Sequence, residues 1–138
     1  MGARNPIDKP EVMPLLLEAC PSFEARWKRY ISEPEYEPGL LYIDLGQFAQ
    51  HLVELLGKGD TAEFQSVFQT VEDLHLSGTD FVREAATIGL LEGIQNTAGH
   101  ADLPQERFLP FLLPESRKWW DKLNRFWQGD ATALRYEE

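Results

Sequence analysis

Apolar residues in this chain recur at three- and four-residue spacing, and the every-second-residue alternation of strands is nearly missing. The clearest stripe is Phe64, Val67, Phe68, Val71 and Leu74, which lie at positions i, i+3, i+4, i+7 and i+10. A period of 3.6 residues places these five side chains on one face of a helix. The spacing therefore predicts an amphipathic helix, and its recurrence along the sequence predicts an all-α fold.

Short glycine-containing segments divide the helices. Asp44 opens an apolar stripe and is predicted to cap it, and the glycines in residues 57–59 then end that helix. Asp60 and Glu63 form a D-x-x-E pair, which predicts the start of the next helix. We therefore expect residues 44–76 to form two helices joined as an antiparallel hairpin.

The helix predicted near residues 80–96 is apolar around nearly its whole circumference. Such a helix is normally buried on several sides, so we place it at the centre of the fold. Gly89 and Gly93 lie four residues apart and would let a neighbouring helix approach closely. Glu92 lies on the same segment, and the sequence leaves two options for it: burial with an arginine partner or a position in a groove.

Prolines divide the rest of the chain. Pro21 separates two short helices over residues 11–19 and 23–31, and residues 33–39 hold two prolines and a glycine, which predicts a loop. Pro114 begins the last helix. We expect its three tryptophans, Trp119, Trp120 and Trp127, to anchor that helix in the core, and the alternative is that they form an aromatic binding surface.

Together these elements predict one helical domain over residues 1–138. A chain of 138 residues is long enough to bury about two-thirds of its unfolded surface in one core. The expected architecture is a bundle of six or seven helices, stacked as hairpins around the apolar helix. The ends, at about residues 1–10 and 129–138, lack an apolar rhythm and are predicted to fray.

The acidic residues are concentrated in the middle of the chain. Residues 33–106 hold 14 Asp and Glu against only two basic residues, Lys58 and Arg83, and the whole chain carries a formal net charge of −10. Such a region repels nucleic acid and anionic membranes, and it attracts basic partners. The acids are also too sparse to imitate the phosphates of a duplex. The charge pattern therefore predicts a basic protein as the ligand.

Cysteine usage and hydropathy indicate the compartment. Cys20 is the only cysteine, so the chain cannot form an internal disulfide. The sequence opens with no signal segment, and its apolar runs are shorter than the ~20 residues that a membrane helix requires. We expect a cytoplasmic protein.

No pattern in the sequence predicts a catalytic, cofactor-binding or metal site. Glu72 and His75 form half of a ferritin-like Glu-x-x-His pair, but neither of the other histidines has a glutamate three positions before it. His75 is therefore interpreted as a structural histidine beside the buried stripe. Cys20 is interpreted as a small core residue, and glycine-rich phosphate loops are absent. We expect the chain not to be an enzyme.

Residues 45–96 follow the order helix, Gly-Asp turn, helix, Gly-Asp-like turn and an apolar helix. The turns are Gly59-Asp60 and Gly78-Thr79-Asp80, with Thr79 as an insertion, and the apolar helix closes with Leu91-Glu92-Gly93-Ile94. This pattern resembles that of an uncharacterised family of small acidic bacterial all-helical proteins. Members look like the immunity proteins that neutralise bacterial toxins, so the resemblance implies an all-helical fold and a toxin-binding role, and it transfers no site residue.

The charge pattern and the resemblance lead to one functional hypothesis: an immunity-type protein that binds a basic toxin domain through an acidic surface. Tyr36 is the expected aromatic anchor between the acids of the loop. The alternative is a helical adaptor in a cytosolic complex, in which the acids serve solubility only. The candidate partner-binding residues are Glu33, Glu35, Tyr36, Glu37, Glu72, Asp73, Asp80 and Glu84.

Overall fold

Seven α-helices follow one another in the described part of the chain, which in the computed structural model comprises residues 5–130 and 132–134. Ala85–Leu91 is a π-helical segment between the fifth and sixth helices, and Pro21–Phe23 and Gln105–Phe111 are 3-10 turns. No extended strand occurs in these residues, so the predicted all-α fold is confirmed. The helices α1 to α7 are Lys9–Ala19, Glu24–Ile31, Leu41–Gly57, Phe64–Ser77, Asp80–Glu84, Glu92–His100 and Pro114–Trp127.

The start of the fold is held by a helix cap and a short bridge. Asp8 and Glu11 form a reciprocal capping box at the first turn of α1. Ile7 donates a backbone hydrogen bond to the carbonyl of Ser77 and accepts one from Thr79, at 2.8 and 2.9 Å. The fraying predicted for residues 1–10 stays a prediction, since these hydrogen bonds describe only residues 7–11 and residues 1–4 lie outside the described part.

The predicted fraying of residues 129–138 falls partly outside the described residues as well, because 131 and 135–138 are not among them. Asp130 accepts hydrogen bonds from the backbone and hydroxyl of Thr132, at 3.1 and 2.8 Å. Ala133 is buried. The described residues after α7 thus form a turn that returns to the domain.

The apolar middle helix is central, as predicted. The run of α5, the π-helical segment and α6 contacts α3 along its length and also touches α4 and α7. A methyl group at Gly89 would lie 3.0 Å from both Leu45 and Tyr42 of α3, and one at Gly93 would lie 3.3 Å from Ala49. The two glycines therefore permit the close approach that their spacing indicated.

Two of the predicted helix starts are wrong. Helix α3 begins at Leu41, so Asp44 lies inside its first turn and accepts a hydrogen bond from Tyr30 instead of capping the helix. Helix α4 begins at Phe64 and has no side-chain cap. The carboxylate of Glu63 was expected in a capping pair, but it accepts hydrogen bonds from Ser22, just before α2. Tertiary packing brings this partner closer than the local backbone.

Helices α3 and α4 are joined by the expected turn, where Gly59 takes a φ of +76°. They do not form the predicted hairpin of two paired helices. Helix α3 packs mainly on the π-helical segment and α6, whereas α4 packs mainly on α1, α5 and α7. The middle helix contacts both, since its apolar circumference offers each of them a surface.

Helix α7 closes the bundle with two of its three tryptophans. Trp119 and Trp120 are buried, and Trp120 packs against Phe108 with ring centroids 6.2 Å apart. Trp127 is 60% exposed, so the expectation that it anchors the helix in the core is wrong. Its indole instead donates a hydrogen bond to the carboxylate of Glu92. None of the described helices has the length and apolar composition that a membrane crossing requires.

Candidate functional site

The loop between α2 and α3 carries three glutamates and packs on aromatic side chains of α2. Glu33, Glu35 and Glu37, here called the loop acids, are exposed in a segment that has no regular structure. Tyr36 lies among them and packs edge-to-face on Tyr30 and Trp27, with ring centroids 5.1 and 6.5 Å away. This packing fixes the loop against α2, so the loop acids project from a held segment.

Beside the loop acids lies a run of exposed apolar side chains. Leu40 and Ile43 are 40% and 55% exposed and share a shallow depression of about 420 Å³ with Tyr36 and the loop acids. Tyr42, one residue before Ile43, meets Phe81 of α5 edge-to-face at 5.9 Å. We call the half-buried Tyr36 and the exposed Leu40, Tyr42, Ile43 and Phe81 the apolar strip. Exposed apolar side chains that adjoin one another mark a binding surface more often than isolated ones do.

The far end of the apolar strip carries a second acidic group. Asp80 and Glu84, the helix acids, are exposed on α5 around Phe81. A separate depression at this end is lined by Phe81, Arg83 and the helix acids. The ammonium of Lys9 lies 5.5 Å from the centre of the Phe81 ring. The structure thus places the loop acids and the helix acids at the two ends of the apolar strip, although their nearest members, Glu37 and Asp80, are 43 positions apart in the sequence.

The remaining predicted contact residues, Asp73 and Glu72, do not join this surface. Asp73 is exposed on α4, where it accepts a hydrogen bond from Gln69 at 3.1 Å, and no described contact links it to the apolar strip. Glu72 is only 6% exposed, so its prediction as a partner-binding residue is wrong. The reason is that its carboxylate is used inside the fold, at the start of α7.

The carboxylate of Glu72 caps the first turn of α7. It accepts hydrogen bonds from the backbone N–H groups of Glu115 and Ser116, both at 2.9 Å, and from the Ser116 hydroxyl at 2.8 Å. The first N–H groups of a helix have no partner within the helix, and they carry its positive partial charge. A glutamate from α4 supplies what the sequence of α7 lacks, since Leu113 has no capping side chain.

Glu92, for which the sequence left open burial with an arginine or a position in a groove, bonds to a tryptophan. Its carboxylate is partly buried and accepts a hydrogen bond from the indole of Trp127. Burial raises the pKa of Glu92, and the bond from Trp127 offsets part of that shift. The residue therefore joins α6 to the end of α7 and does not belong to the acidic surface.

The structure also assembles a polar cluster that the sequence did not indicate, at the start of α2. Glu63 accepts hydrogen bonds from the backbone N–H of Ser22 at 3.1 Å, from its hydroxyl, and from the Cys20 thiol at 3.2 Å. The Ser22 hydroxyl also lies 2.9 Å from Nε2 of His51. No spacing rule could have found this cluster, because its members come from three separate segments.

The hydrogen bonds of this cluster hold separate segments together, and they do not activate Ser22 or Cys20 as a nucleophile. Burial acts to raise the pKa of Glu63, but the bonds from Ser22 and Cys20 prevail and lower it. Glu63 is then an ionised acceptor, so the Ser22 hydroxyl donates to it and His51 is not the base for that proton. Burial raises the pKa of Cys20 to about 12, which keeps the thiol protonated.

His75 is a buried structural residue, in keeping with its interpretation from the sequence. Its Nδ1 lies 2.9 Å from the carbonyl of Val71, and its Nε2 lies 3.0 Å from the hydroxyl of Thr87. Burial lowers the pKa of His75, which favours the neutral ring with Nδ1 as donor and Nε2 as acceptor. Within residues 5–130 and 132–134, no three acidic, histidine or cysteine side chains are grouped so that they could hold a metal ion.

Comparison with known proteins identifies the family of this chain but assigns it no function. No curated protein and no solved structure matches the chain. A family model described as a domain of unknown function, DUF7674, matches residues 13–128, from within α1 to just past the end of α7. The match includes the loop acids, the apolar strip and the helix acids. Because it covers most of the sequence, the chain belongs to the DUF7674 family.

Proposed function

We propose that this chain is a protein-binding domain whose ligand is a basic protein. The observation that carries the proposal is the apolar strip with carboxylates at both ends. Protein interfaces commonly combine an aromatic and aliphatic centre with a polar rim. Here the rim is mainly negative, so the complementary surface is positive.

The specific form that we propose is an immunity-type role, in which the ligand is a basic toxin domain. This step rests on the resemblance of residues 45–96 and on the charge of the surface. Electrostatic attraction between the two surfaces would raise the association rate constant from about 10⁵–10⁶ toward 10⁸ M⁻¹s⁻¹ at low salt. An interface of roughly 800 Å² on each partner would suffice for a stable complex. A cytoplasmic location is part of this proposal.

One observation favours the alternative, a helical adaptor whose acids serve solubility. Several carboxylates of the acidic middle region are engaged inside the fold, so less charge is available to a ligand than the sequence suggested. In that case the apolar strip would bind a partner of any charge. The two functions therefore differ in whether the loop acids control the rate of association.

Capture followed by kinetics tests the proposal. The tagged chain is used to capture proteins from its native host, and mass spectrometry identifies them. Each captured protein is then purified, and stopped-flow fluorescence measures its association rate at low and high salt. The test variant reverses the charge of Glu33, Glu35 and Glu37 to lysine. The control variant reverses Asp60 and Glu106, which are exposed acids outside the apolar strip and its acidic ends.

We expect a basic protein whose association with the loop variant is about tenfold slower at low salt, with little difference at high salt. The control variant should associate within about twofold of the original chain. Ile43→Ser should mainly raise the dissociation rate, since it removes apolar contact and no charge. A captured partner that is not basic, or equal rates for the two charge variants, would favour the adaptor.

A further inference from the structure

A second depression lies on the other side of Tyr36, between α1, α2 and the start of α3. It has a volume of about 340 Å³ and is lined by apolar groups, among them Met13, Pro14 and Leu41, and by the rings of Trp27 and Tyr36. This volume falls in the range of small-ligand pockets. Tyr36 borders both this pocket and the depression that holds the loop acids.

Asp44 is the acidic residue in the lining of this pocket, although the residue is only 5% exposed. Among the described residues, its hydrogen-bond donor is the hydroxyl of Tyr30, at 2.9 Å from Oδ1. No described Lys, Arg or His nitrogen lies within 4.0 Å of the carboxylate. Burial raises the pKa of Asp44, and the Tyr30 bond only partly offsets it. A buried carboxylate with one neutral donor lacks the positive partner that normally accompanies such a group.

The walls of the pocket suit a cation. Trp27 and Tyr36 line the pocket with their ring centroids 6.5 Å apart, and Tyr30, which is not part of the lining, packs 5.6 Å from Trp27. Aromatic faces attract ammonium and guanidinium groups through the ring quadrupole, most strongly where water is excluded. An apolar lining would also cover the methylene groups of a long basic side chain.

We propose that this pocket binds an alkylammonium or guanidinium group, held beside the Trp27 and Tyr36 rings and paired with the Asp44 carboxylate. If the cation is a lysine or arginine side chain of a partner, the inference rests on the proposed function. If the cation is a free alkylamine or guanidine, the inference is independent of the proposed function. The position of Tyr36 between the pocket and the loop acids connects the cation site to the proposed binding surface.

Lys9 is the competing occupant, because it also lines the pocket and its charge favours the ionised form of Asp44. Its ammonium does not form an ion pair with Asp44 at 4.0 Å or less, and it lies 5.5 Å from the centre of the Phe81 ring. Lys9 is therefore a nearby like charge for an incoming cation. Removing that charge should strengthen cation binding.

NMR titration of the full chain tests the inference. The probes are n-butylguanidinium, n-butylammonium, uncharged n-butanol, and a blocked peptide that carries one arginine among glycines. The signal is the indole N–H of Trp27, assigned by its loss in Trp27→Phe. The variants are Asp44→Asn, Tyr36→Leu and Lys9→Met, and Asp60→Asn is the control because Asp60 is exposed and lies outside the pocket.

We expect saturable shifts with both small cations and none with n-butanol. Asp44→Asn should weaken cation binding about tenfold, Tyr36→Leu should weaken it several-fold, and Lys9→Met should strengthen it. The control should bind as the original chain does. Tyr36→Leu keeps the test decisive if Asp44→Asn does not fold, since Tyr36 lies in a loop.

Equal shifts with n-butanol, or cation binding unchanged in both Asp44→Asn and Tyr36→Leu, would overturn the inference. Weaker cation binding in Lys9→Met would also overturn it, since Lys9 would then be part of the site. If the arginine peptide binds at least as tightly as n-butylguanidinium, the site accepts a protein side chain; if only the small cations bind, the partner side chain is excluded as the source. The proposed function fails separately, when charge reversal of the loop acids leaves partner association unchanged.

Discussion

Replacing Glu72 with glutamine is the most direct test of how this fold is held together. In the native chain, Oε1 accepts hydrogen bonds from the backbone and hydroxyl of Ser116, and Oε2 accepts one from the backbone of Glu115. The amide oxygen of a glutamine could keep the bonds of one oxygen, but its NH₂ group would then face a backbone N–H, a donor against a donor. The substitution changes little in volume, so it tests the cap and not the packing.

The expected cost follows from those contacts. A hydrogen bond to a charged group contributes about 1.5–3 kcal/mol, and a buried N–H without an acceptor costs about 1–3 kcal/mol. These two quantities describe overlapping losses, so we expect Glu72→Gln to lower the free energy of unfolding by about 2–3 kcal/mol. With an m-value of about 1–3 kcal/mol/M, the midpoint of urea unfolding should fall by about 0.7–3 M.

The assay is urea unfolding followed by far-UV circular dichroism and by tryptophan fluorescence. Asp73→Asn is the matched control, because Asp73 is the next residue of α4 and its carboxylate is exposed. It should change the free energy of unfolding by less than about 0.5 kcal/mol. If Glu72→Gln and Asp73→Asn unfold at the same urea concentration, the carboxylate does not stabilise α7 in the way described.

Three further predictions concern the interior. Gly89→Ala should destabilise the fold by about 1–3 kcal/mol, because the added methyl group would lie 3.0 Å from two side chains of α3. In the control Gly46→Ala, the methyl group meets nothing within 4 Å and should stabilise the fold by up to about 1 kcal/mol. Equal effects of the two substitutions in thermal unfolding would contradict this. Burial lowers the pKa of His75 below 6.5, so His75 takes up a proton in the unfolded chain at a higher pH than in the folded chain. The free energy of unfolding should therefore decrease as the pH falls below about 6.5, and His75→Gln should flatten that decrease. An unchanged pH profile in this variant would argue against a buried neutral His75. Because the Cys20 thiol is buried and has a pKa of about 12, a thiol reagent at mildly alkaline pH should modify it only as the chain opens in urea, and rapid modification of the folded chain would refute that environment.

Features that depend on nearby residues were predictable from the sequence. The apolar circumference near residues 80–96 correctly indicated a central helix, and the spacing of Gly89 and Gly93 correctly indicated close contact with a neighbour. Pro114 begins the last helix, as predicted. Each of these signals acts within a few residues of the backbone that it shapes, so the sequence order alone carries it.

Features that join distant segments were not predictable. The partners of Glu72 lie 43 and 44 positions further along the chain, and Glu63 bonds to Ser22, 41 positions earlier. For Asp60 and Glu63 the local pattern was misleading, because a D-x-x-E pair is also compatible with a turn in which the second acid bonds elsewhere. The apolar strip has the same origin, since the contact of Tyr42 with Phe81 depends on how α3 and α5 pack.

The internal uses of the carboxylates change the meaning of the acidic middle region. Of the 14 acids in residues 33–106, ten are exposed, and four are buried or half-buried and bonded inside the fold, namely Asp44, Glu63, Glu72 and Glu92. Five of those ten lie at the ends of the apolar strip, as the loop acids and the helix acids. Solubility alone requires charge but gives no reason for exposed Ile43 and Tyr42 beside it. The position of these five acids, and not the total charge, is therefore the physical basis for expecting a basic protein ligand.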